Sequence, residues 1–191
     1  MKRLLGIVVL SFLWCSPSYA EFVMQDLISV LIETKKIKSI EVAKHLQSIT
    51  STDKTYELVI RNSNLSLEDA KNIAEAIDKV SKNDGPKLST LSLSFNQDLK
   101  DEGVIEILSK IPKTTPVIAF VECGITDKAG QAIIDWALEN KEINGIYIEG
   151  NTFSSSMEAK FEKLRVNNPQ LTILSKWASE EFKEMVKKTF N

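Results

Sequence analysis

Histidine and cysteine are almost absent from this sequence of 191 residues, which contains one histidine and two cysteines. Imidazole and thiolate groups are the usual ligands of protein-bound zinc, so little is present from which to build a zinc site. A Ser-His-Asp triad would have to use His45. Glycine-rich phosphate loops, G-x-S-x-G motifs and H-E-x-x-H motifs are also missing. We therefore expect no metal, no cofactor and no enzymatic activity, while a pair of carboxylates that meets only in space stays open.

An excess of positive charge is missing as well. The chain has 24 basic and 26 acidic residues, a formal net charge of −2, and its lysines and arginines are interleaved with acidic residues. Proteins that bind nucleic acids concentrate basic side chains on one surface, because they must neutralise phosphate groups. We therefore expect no nucleic-acid partner.

Long apolar runs are confined to the N-terminus, where two basic residues precede an apolar run at residues 4–14. Ser18 and Ala20 then provide the small side chains that a signal peptidase requires. A run of about eleven residues is too short to span a bilayer as a helix. We interpret residues 1–20 as a signal peptide that is cleaved after Ala20, and we expect the mature protein to be secreted or periplasmic.

Cys15 raises the alternative of a bacterial lipoprotein, which is cut just before a cysteine. The preceding residue is Trp14, whereas the lipoprotein peptidase takes a small residue there. If Cys15 leaves with the signal peptide, Cys123 is the only cysteine of a 171-residue mature chain and no intrachain disulfide forms. A domain of that size can be held together by its core alone.

A motif recurs through the middle of the chain with the pattern L-x-L-x-x-(N/C)-x-L. Its four copies begin at Leu58, Leu91, Ile118 and Ile146, which are 33, 27 and 28 residues apart. The second copy has one extra residue, and the first has Ser63 in place of asparagine or cysteine. A near-constant period of this length is typical of solenoid proteins.

A stretch with apolar residues at helical spacing follows each copy. These stretches cover residues 67–81, 101–111, 127–140 and 155–167. Their starts are marked by residues whose side-chain oxygens can cap a first turn: Ser66, Asp101, Thr126, and Ser154 or Ser155. The repeating unit is therefore a strand, a turn and a helix. Stacked units bury a common core between a parallel sheet and a layer of helices.

The second copy reads KLSTLSLSFNQDLKDEGVIEILSKI and carries D-E-G before its helix. On these features, residues 55–168 resemble leucine-rich repeats of the ribonuclease-inhibitor type. The resemblance implies an α/β solenoid with parallel strands on its concave face, helices on its convex face, and a function in binding. Bacterial proteins with such repeats include secreted factors that engage host proteins. Together with the predominance of lysine over arginine, this leads us to expect a bacterial protein with a host target.

Asn96, Cys123 and Asn151 occupy equivalent positions in successive copies, where the chain leaves the strand. A buried amide at such a position can bond the unpaired backbone groups of the turn and of the neighbouring repeat. We therefore predict a structural ladder of these three residues. We expect Cys123 to be a small buried member of that ladder and not a reactive or metal-binding thiol.

The strands also predict a candidate binding surface, because side chains between and after the inward leucines point away from the core. Aromatic, apolar and charged residues at these positions are the candidate partner-binding residues: Arg61, Phe95, Val121, Glu122, Tyr147 and Glu149. Aromatic and arginine side chains are frequent anchors of protein interfaces. The alternative is that these are ordinary scattered surface residues. Five strands give a sheet only about 20 Å wide, so an interface on it alone is small.

Helical segments are predicted at both ends. Residues 21–54 are predicted to form an N-terminal cap of two helices, with His45 on the second. Residues 169–191 are predicted to form a fifth strand and a C-terminal amphipathic helix cap. That helix either folds over the last repeat or presents a basic and aromatic face to a membrane or a partner. Its mixed charges make a membrane the weaker choice.

The sequence as a whole predicts an exported leucine-rich repeat protein that binds another protein non-covalently through its concave strand face. The alternative is a periplasmic or envelope-associated structural module that docks through its C-terminal helix. The sequence is compatible with a monomer and does not identify the partner.

Overall fold

A computed structural model describes residues 19–50 and 52–190 of the chain. The predicted signal peptide lies almost wholly outside the described residues, so export remains a prediction. The helices are α1 (Tyr19–Glu33), α2 (Ile37–Leu46), α3 (Leu67–Lys82), α4 (Lys100–Lys110), α5 (Asp127–Glu139), α6 (Ser155–Asn167) and α7 (Glu180–Phe190). The strands are β1 (Thr55–Val59), β2 (Lys87–Ser92), β3 (Val117–Ala119), β4 (Gly145–Tyr147) and β5 (Thr172–Leu174).

The strands form one parallel sheet in the order β1-β2-β3-β4-β5. Its register places the first apolar residues of the four motif copies in one row with Ile173 of β5: Leu58, Leu91, Ile118, Ile146 and Ile173. Since sequence neighbours are also spatial neighbours, each strand and helix stacks on the next as in a solenoid. The predicted α/β leucine-rich repeat architecture is confirmed.

The core lies between the sheet and helices α3 to α6. The inward strand residues Leu58, Leu91 and Ile118 are fully buried, and so are Ile77 of α3 and Ile133 of α5. A strand and helix of fewer than thirty residues cannot bury their apolar faces alone, so adjacent repeats supply each other's core.

Helix starts follow the predicted residues at three of four positions. Ser66, Thr126 and Ser154 precede α3, α5 and α6, and the side-chain oxygen of each accepts a backbone N–H of the first turn. The prediction for Asp101 is wrong, because α4 begins at Lys100 and is preceded by Leu99, which gives no side-chain cap.

Asp101 instead ties α4 to the next repeat. Its carboxylate accepts the backbone N–H of Thr126 at 2.7 Å and that of Ala129 at 3.2 Å. Asp127 of α5 repeats the arrangement, because its carboxylate accepts the backbone N–H of Ser154 at 2.8 Å. A constant repeat length places successive helix N-termini side by side, so one acid serves the start of the neighbouring helix.

Helices α1 and α2 cover the β1 end of the core. Met24, Leu27 and Leu31 of α1 and Leu46 of α2 are buried, while His45 is exposed. Within the described ranges, every helix is too short or too polar to cross a membrane.

The C-terminal helix contacts a residue that lies outside the last repeat. The ammonium group of Lys187 in α7 lies 2.9 Å from a carboxylate oxygen of Glu122, which follows β3. Leu174 of the edge strand β5 remains 41% exposed. Helix α7 therefore reaches back two strands along the sheet.

Candidate interaction surface

A column of left-handed backbone positions runs along the carboxyl ends of the strands. It consists of Asn62 (φ 47°), Phe95 (φ 63°), Glu122 (φ 48°) and Gly150 (φ 76°), and we call these four residues the rim. The rim continues the sheet: the N–H of Phe95 donates to the carbonyl of Val121 at 2.7 Å, and that of Glu122 donates to the carbonyl of Glu149 at 2.9 Å. This conformation turns the chain out of each strand at the same point of every repeat.

The residues that follow Phe95, Glu122 and Gly150 connect neighbouring repeats with their side chains. The side-chain oxygen Oδ1 of Asn96 accepts hydrogen bonds from the backbone N–H groups of Ser63 at 2.9 Å and Leu65 at 3.1 Å, both in the preceding repeat. Its amide donates to the carbonyls of Ile60 and Leu93 at 2.9 and 2.8 Å. Asn96 is fully buried, so these bonds satisfy backbone groups that water cannot reach.

Asn151 makes the same set of bonds two repeats further on. It accepts the N–H groups of Cys123 at 3.0 Å and Ile125 at 3.2 Å, and it donates to the carbonyls of Phe120 and Ile148 at 2.8 and 2.9 Å. The two asparagines thus fix the frame on which the rim is carried.

Cys123 takes the position between the two asparagines. Its thiol donates to the carbonyl of Leu93 at 3.2 Å, and burial raises the pKa of that thiol to about 12. The sulfur therefore stays protonated at neutral pH, which removes the thiolate that nucleophilic or metal chemistry needs. In the described part of the chain, no cluster of three or more His, Cys, Asp or Glu side chains is arranged to hold a metal ion.

The concave face is the surface formed by outward side chains of the strands and the residues that follow them. We define it as Arg61, Ser92, Ser94, Ala119, Val121, Tyr147 and Glu149. Its centre is lined by small side chains, and Ser92 and Ser94 are buried. The guanidinium Nε of Arg61 donates to the Ser92 hydroxyl at 3.0 Å, which anchors Arg61 at the β1 side of this centre.

Two predicted contact residues differ from expectation. Val121 and Glu149 were predicted to be exposed, but they are only 9% and 5% exposed. The alternation of side chains along a strand shows the direction in which a side chain points. It does not show how deeply side chains on the neighbouring strands, about 4.8 Å away, bury it. Phe95, Glu122 and Tyr147 are half-buried, and the Tyr147 ring extends over Gly145.

Glu149 is the electrostatically unusual member of this surface. Its Oε2 has no hydrogen-bond partner among the described residues, and desolvation raises the pKa of its carboxyl group. A buried carboxylate without a cation is costly, because the protein interior solvates charge poorly.

Glu122 forms an ion pair with a lysine of the C-terminal helix. Its carboxylate pairs with Lys187 at 2.9 Å, and this contact raises the pKa of the Lys187 ammonium group. Gly150 leaves the necessary room: a Cβ there would lie 3.0 Å from the Trp177 indole nitrogen and closer still to the Glu122 side chain. Trp177 and Lys187 thus bring the C-terminal segment onto the rim.

Sequence reasoning missed the contribution of Trp177 and Lys187. Both lie far along the chain from Glu122, and no local periodicity reports such a contact. The available signal was the amphipathic pattern of the C-terminal helix, which indicates a docked face without saying where it docks.

Comparison with known proteins supports the fold. No family model matches the sequence, and no curated protein matches it. Among solved structures, the chain is similar to one described as leiomodin-1 actin-binding site 2, with a TM-score of 0.53 and 16% sequence identity. The match covers 92% of this chain and 89% of that one. At this identity the likeness establishes a shared leucine-rich repeat fold.

Proposed function

We propose that this protein acts by non-covalent binding of another protein through its concave face and rim. The observation that carries the proposal is the arrangement of that surface. Half-buried Phe95, Tyr147 and Arg61 border a centre of small side chains. Aromatic and arginine anchors around a recessed centre are typical of protein interfaces. The asparagine ladder holds the surface rigid before a partner arrives, which lowers the entropy cost of binding.

The fold favours binding over catalysis. Repeat solenoids present side chains in regular rows on an extended surface. The structural neighbour with this fold is described as an actin-binding site, which supports a protein ligand as a class for the present chain. The proposal does not extend to actin.

We further propose that the chain is an exported bacterial protein with repeats of the ribonuclease-inhibitor type and a host protein as its target. The basic and apolar N-terminus with Ser18 and Ala20, and the D-E-G sequence at residues 101–103 in the first turn of α4, support this proposal. Fractionation of a producing culture tests it, and mature protein found only in the cytoplasm would contradict it.

A second candidate function is docking to an envelope component through α7. Phe182 and Met185 on this helix are 40% and 55% exposed, and apolar side chains of this size are unusual on a helix that docks only internally. If α7 docks to an envelope component, cell fractionation is expected to find less of the Phe182→Ala, Met185→Ala variant than of the wild type in the membrane or envelope fraction.

A comparative pull-down tests the concave face. The Phe95→Ala, Tyr147→Ala variant is expected to lose at least about 2 kcal/mol of affinity for any protein that the wild type captures. The matched control replaces two exposed apolar residues of the convex helices, Leu138 and Val166, by alanine. Equal capture by wild type and the Phe95→Ala, Tyr147→Ala variant would contradict the proposal, provided that circular dichroism shows both to be folded.

A further inference from the structure

Helix α7 rests on the rim with part of its apolar surface still in water. Lys183, Val186 and Lys187 are partly buried, whereas Phe182 and Met185 are exposed. A helix that completes a core normally buries its whole apolar stripe. Helix α7 is therefore held less firmly than the helices of the repeats.

A groove of about 340 Å³ remains between α7 and the carboxyl ends of the first three strands. Its walls include Asp98, Glu122 and Lys187. Phe95 also lines it. The groove thus combines an aromatic side chain with acidic groups, which suits a basic amphipathic segment.

Glu122 and Glu149 form a pair of acidic side chains of which α7 neutralises only one. They lie in neighbouring repeats, because the Glu122 N–H donates to the Glu149 carbonyl at 2.9 Å. Lys187 pairs with Glu122, which is 13% exposed in its side chain. Glu149 is more deeply buried, and its Oε2 has no hydrogen-bond partner among the residues described. Helix α7 thus supplies a cation to one of the two carboxylates, that of Glu122.

We propose that the concave face and rim receive a basic amphipathic helix of a partner protein, and that α7 is the chain's own occupant of that site. The partner helix displaces α7, replaces the Lys187 contact to Glu122, and brings a second cation to Glu149. The inference rests on the proposed binding function and names the chemistry of the ligand.

This arrangement sets a threshold for binding. A tethered helix acts at a high effective concentration, so a free helix must bind better than α7 to replace it. Glu149, whose Oε2 has no hydrogen-bond partner among the described residues, supplies that advantage to a ligand with two suitably placed cations. A weak or single-cation helix does not open the site, which gives the surface selectivity.

The experiment measures binding of a labelled synthetic peptide with the sequence of residues 176–191 to the full chain. In the Lys187→Glu variant, repulsion from Glu122 releases α7. We expect this variant to bind the peptide at least about tenfold more tightly than the wild type does. The matched control is Lys188→Glu, the same charge change at the neighbouring, exposed lysine, which is expected to behave as the wild type.

A lysine scan of the peptide tests the second cation. Peptides with one additional lysine are titrated into the Lys187→Glu variant, and at least one position is expected to improve affinity by about tenfold. Adding Glu149→Gln to the protein removes that gain, because the amide carries no charge. Circular dichroism of each variant shows that the fold is retained.

Two results overturn the inference. Equal binding of the peptide by wild type and Lys187→Glu shows that α7 does not occupy the site, and absence of binding by both shows that the surface does not receive a helix. If no added lysine improves the affinity of the peptide in a way that depends on Glu149, the claim that the partner helix brings a second cation to Glu149 is wrong. None of these results bears on capture of a partner that depends on Phe95 and Tyr147, so failure of the inference is distinguishable from failure of the proposed function.

Discussion

At the scale of single residues, the asparagines that follow the rim do work that no apolar residue can do. Asn96 and Asn151 each satisfy two backbone donors and two backbone acceptors of adjacent turns. A turn that is stacked inside a solenoid has no water to pair with, so an amide in the right place substitutes for it.

The Asn96→Ala substitution is therefore expected to destabilise the protein by about 3–4 kcal/mol, because it leaves several buried backbone groups unpaired. Asn151→Ala is expected to cost about 2 kcal/mol, since Asn151 is only half-buried and water can replace part of its bonds. Urea unfolding of the two variants checks the order, and a smaller loss for Asn96→Ala would contradict this account of the ladder.

For Glu149 we expect the opposite effect, because replacing its charge should stabilise the protein. Its pKa is raised in the folded protein, so the folded state holds the proton more tightly than the unfolded state, and stability falls as the pH rises above the unfolded value near 4.5. Glu149→Gln is expected to raise the midpoint of thermal unfolding by about 2–4 °C at neutral pH. Below the unfolded pKa, the variant and the wild type should unfold together. A lower midpoint for the variant at neutral pH would show that the charge is compensated.

At the scale of elements, carboxylates in the first turns of α4 and α5 couple each repeat to the next. Asp101 binds the start of α5, and Asp127 binds the start of α6. Hydrogen bonds from Ser154 lower the pKa of Asp127, so its contribution to stability is present above the unfolded pKa and is lost as the pH falls through the lowered one.

The Asp127→Asn substitution is expected to speed hydrogen exchange at the first turn of α6, because an amide oxygen accepts these bonds more weakly than a carboxylate does. The matched control is Asp135→Asn on the same helix, whose hydrogen-bond partner Gln131 also belongs to α5. Exchange at α6 that responds equally to both changes would show that Asp127 does not couple the repeats.

Prediction from sequence worked where the signal was local. The alternating strands and the helices with apolar stripes follow from side-chain periodicity within about ten residues, and three of the four capping residues follow from the chemistry of a helix start. Asp101 failed because an acid before an apolar stripe fits both the start of a helix and its first turn. The sequence cannot show that its carboxylate serves a neighbouring helix.

At the scale of the whole molecule, the missing information was which distant segments meet. The direction of Val121 and Glu149 follows from alternation, but their burial depends on the neighbouring repeats. The contact between Lys187 and Glu122 depends on where the chain after β5 turns, which no periodic pattern encodes. The fold could thus be predicted well, and the candidate surface only as a set of positions without its own occupant.

The left-handed conformation of the rim predicts which residues change first when the protein is selected for heat resistance. Phe95 and Glu122 adopt a conformation that costs a side-chain-bearing residue about 1 kcal/mol, whereas Gly150 adopts it freely. Laboratory evolution for heat resistance alone is expected to replace these two residues by glycine or asparagine early, before it alters the core. Glycine at either position would remove a side chain from the proposed binding surface.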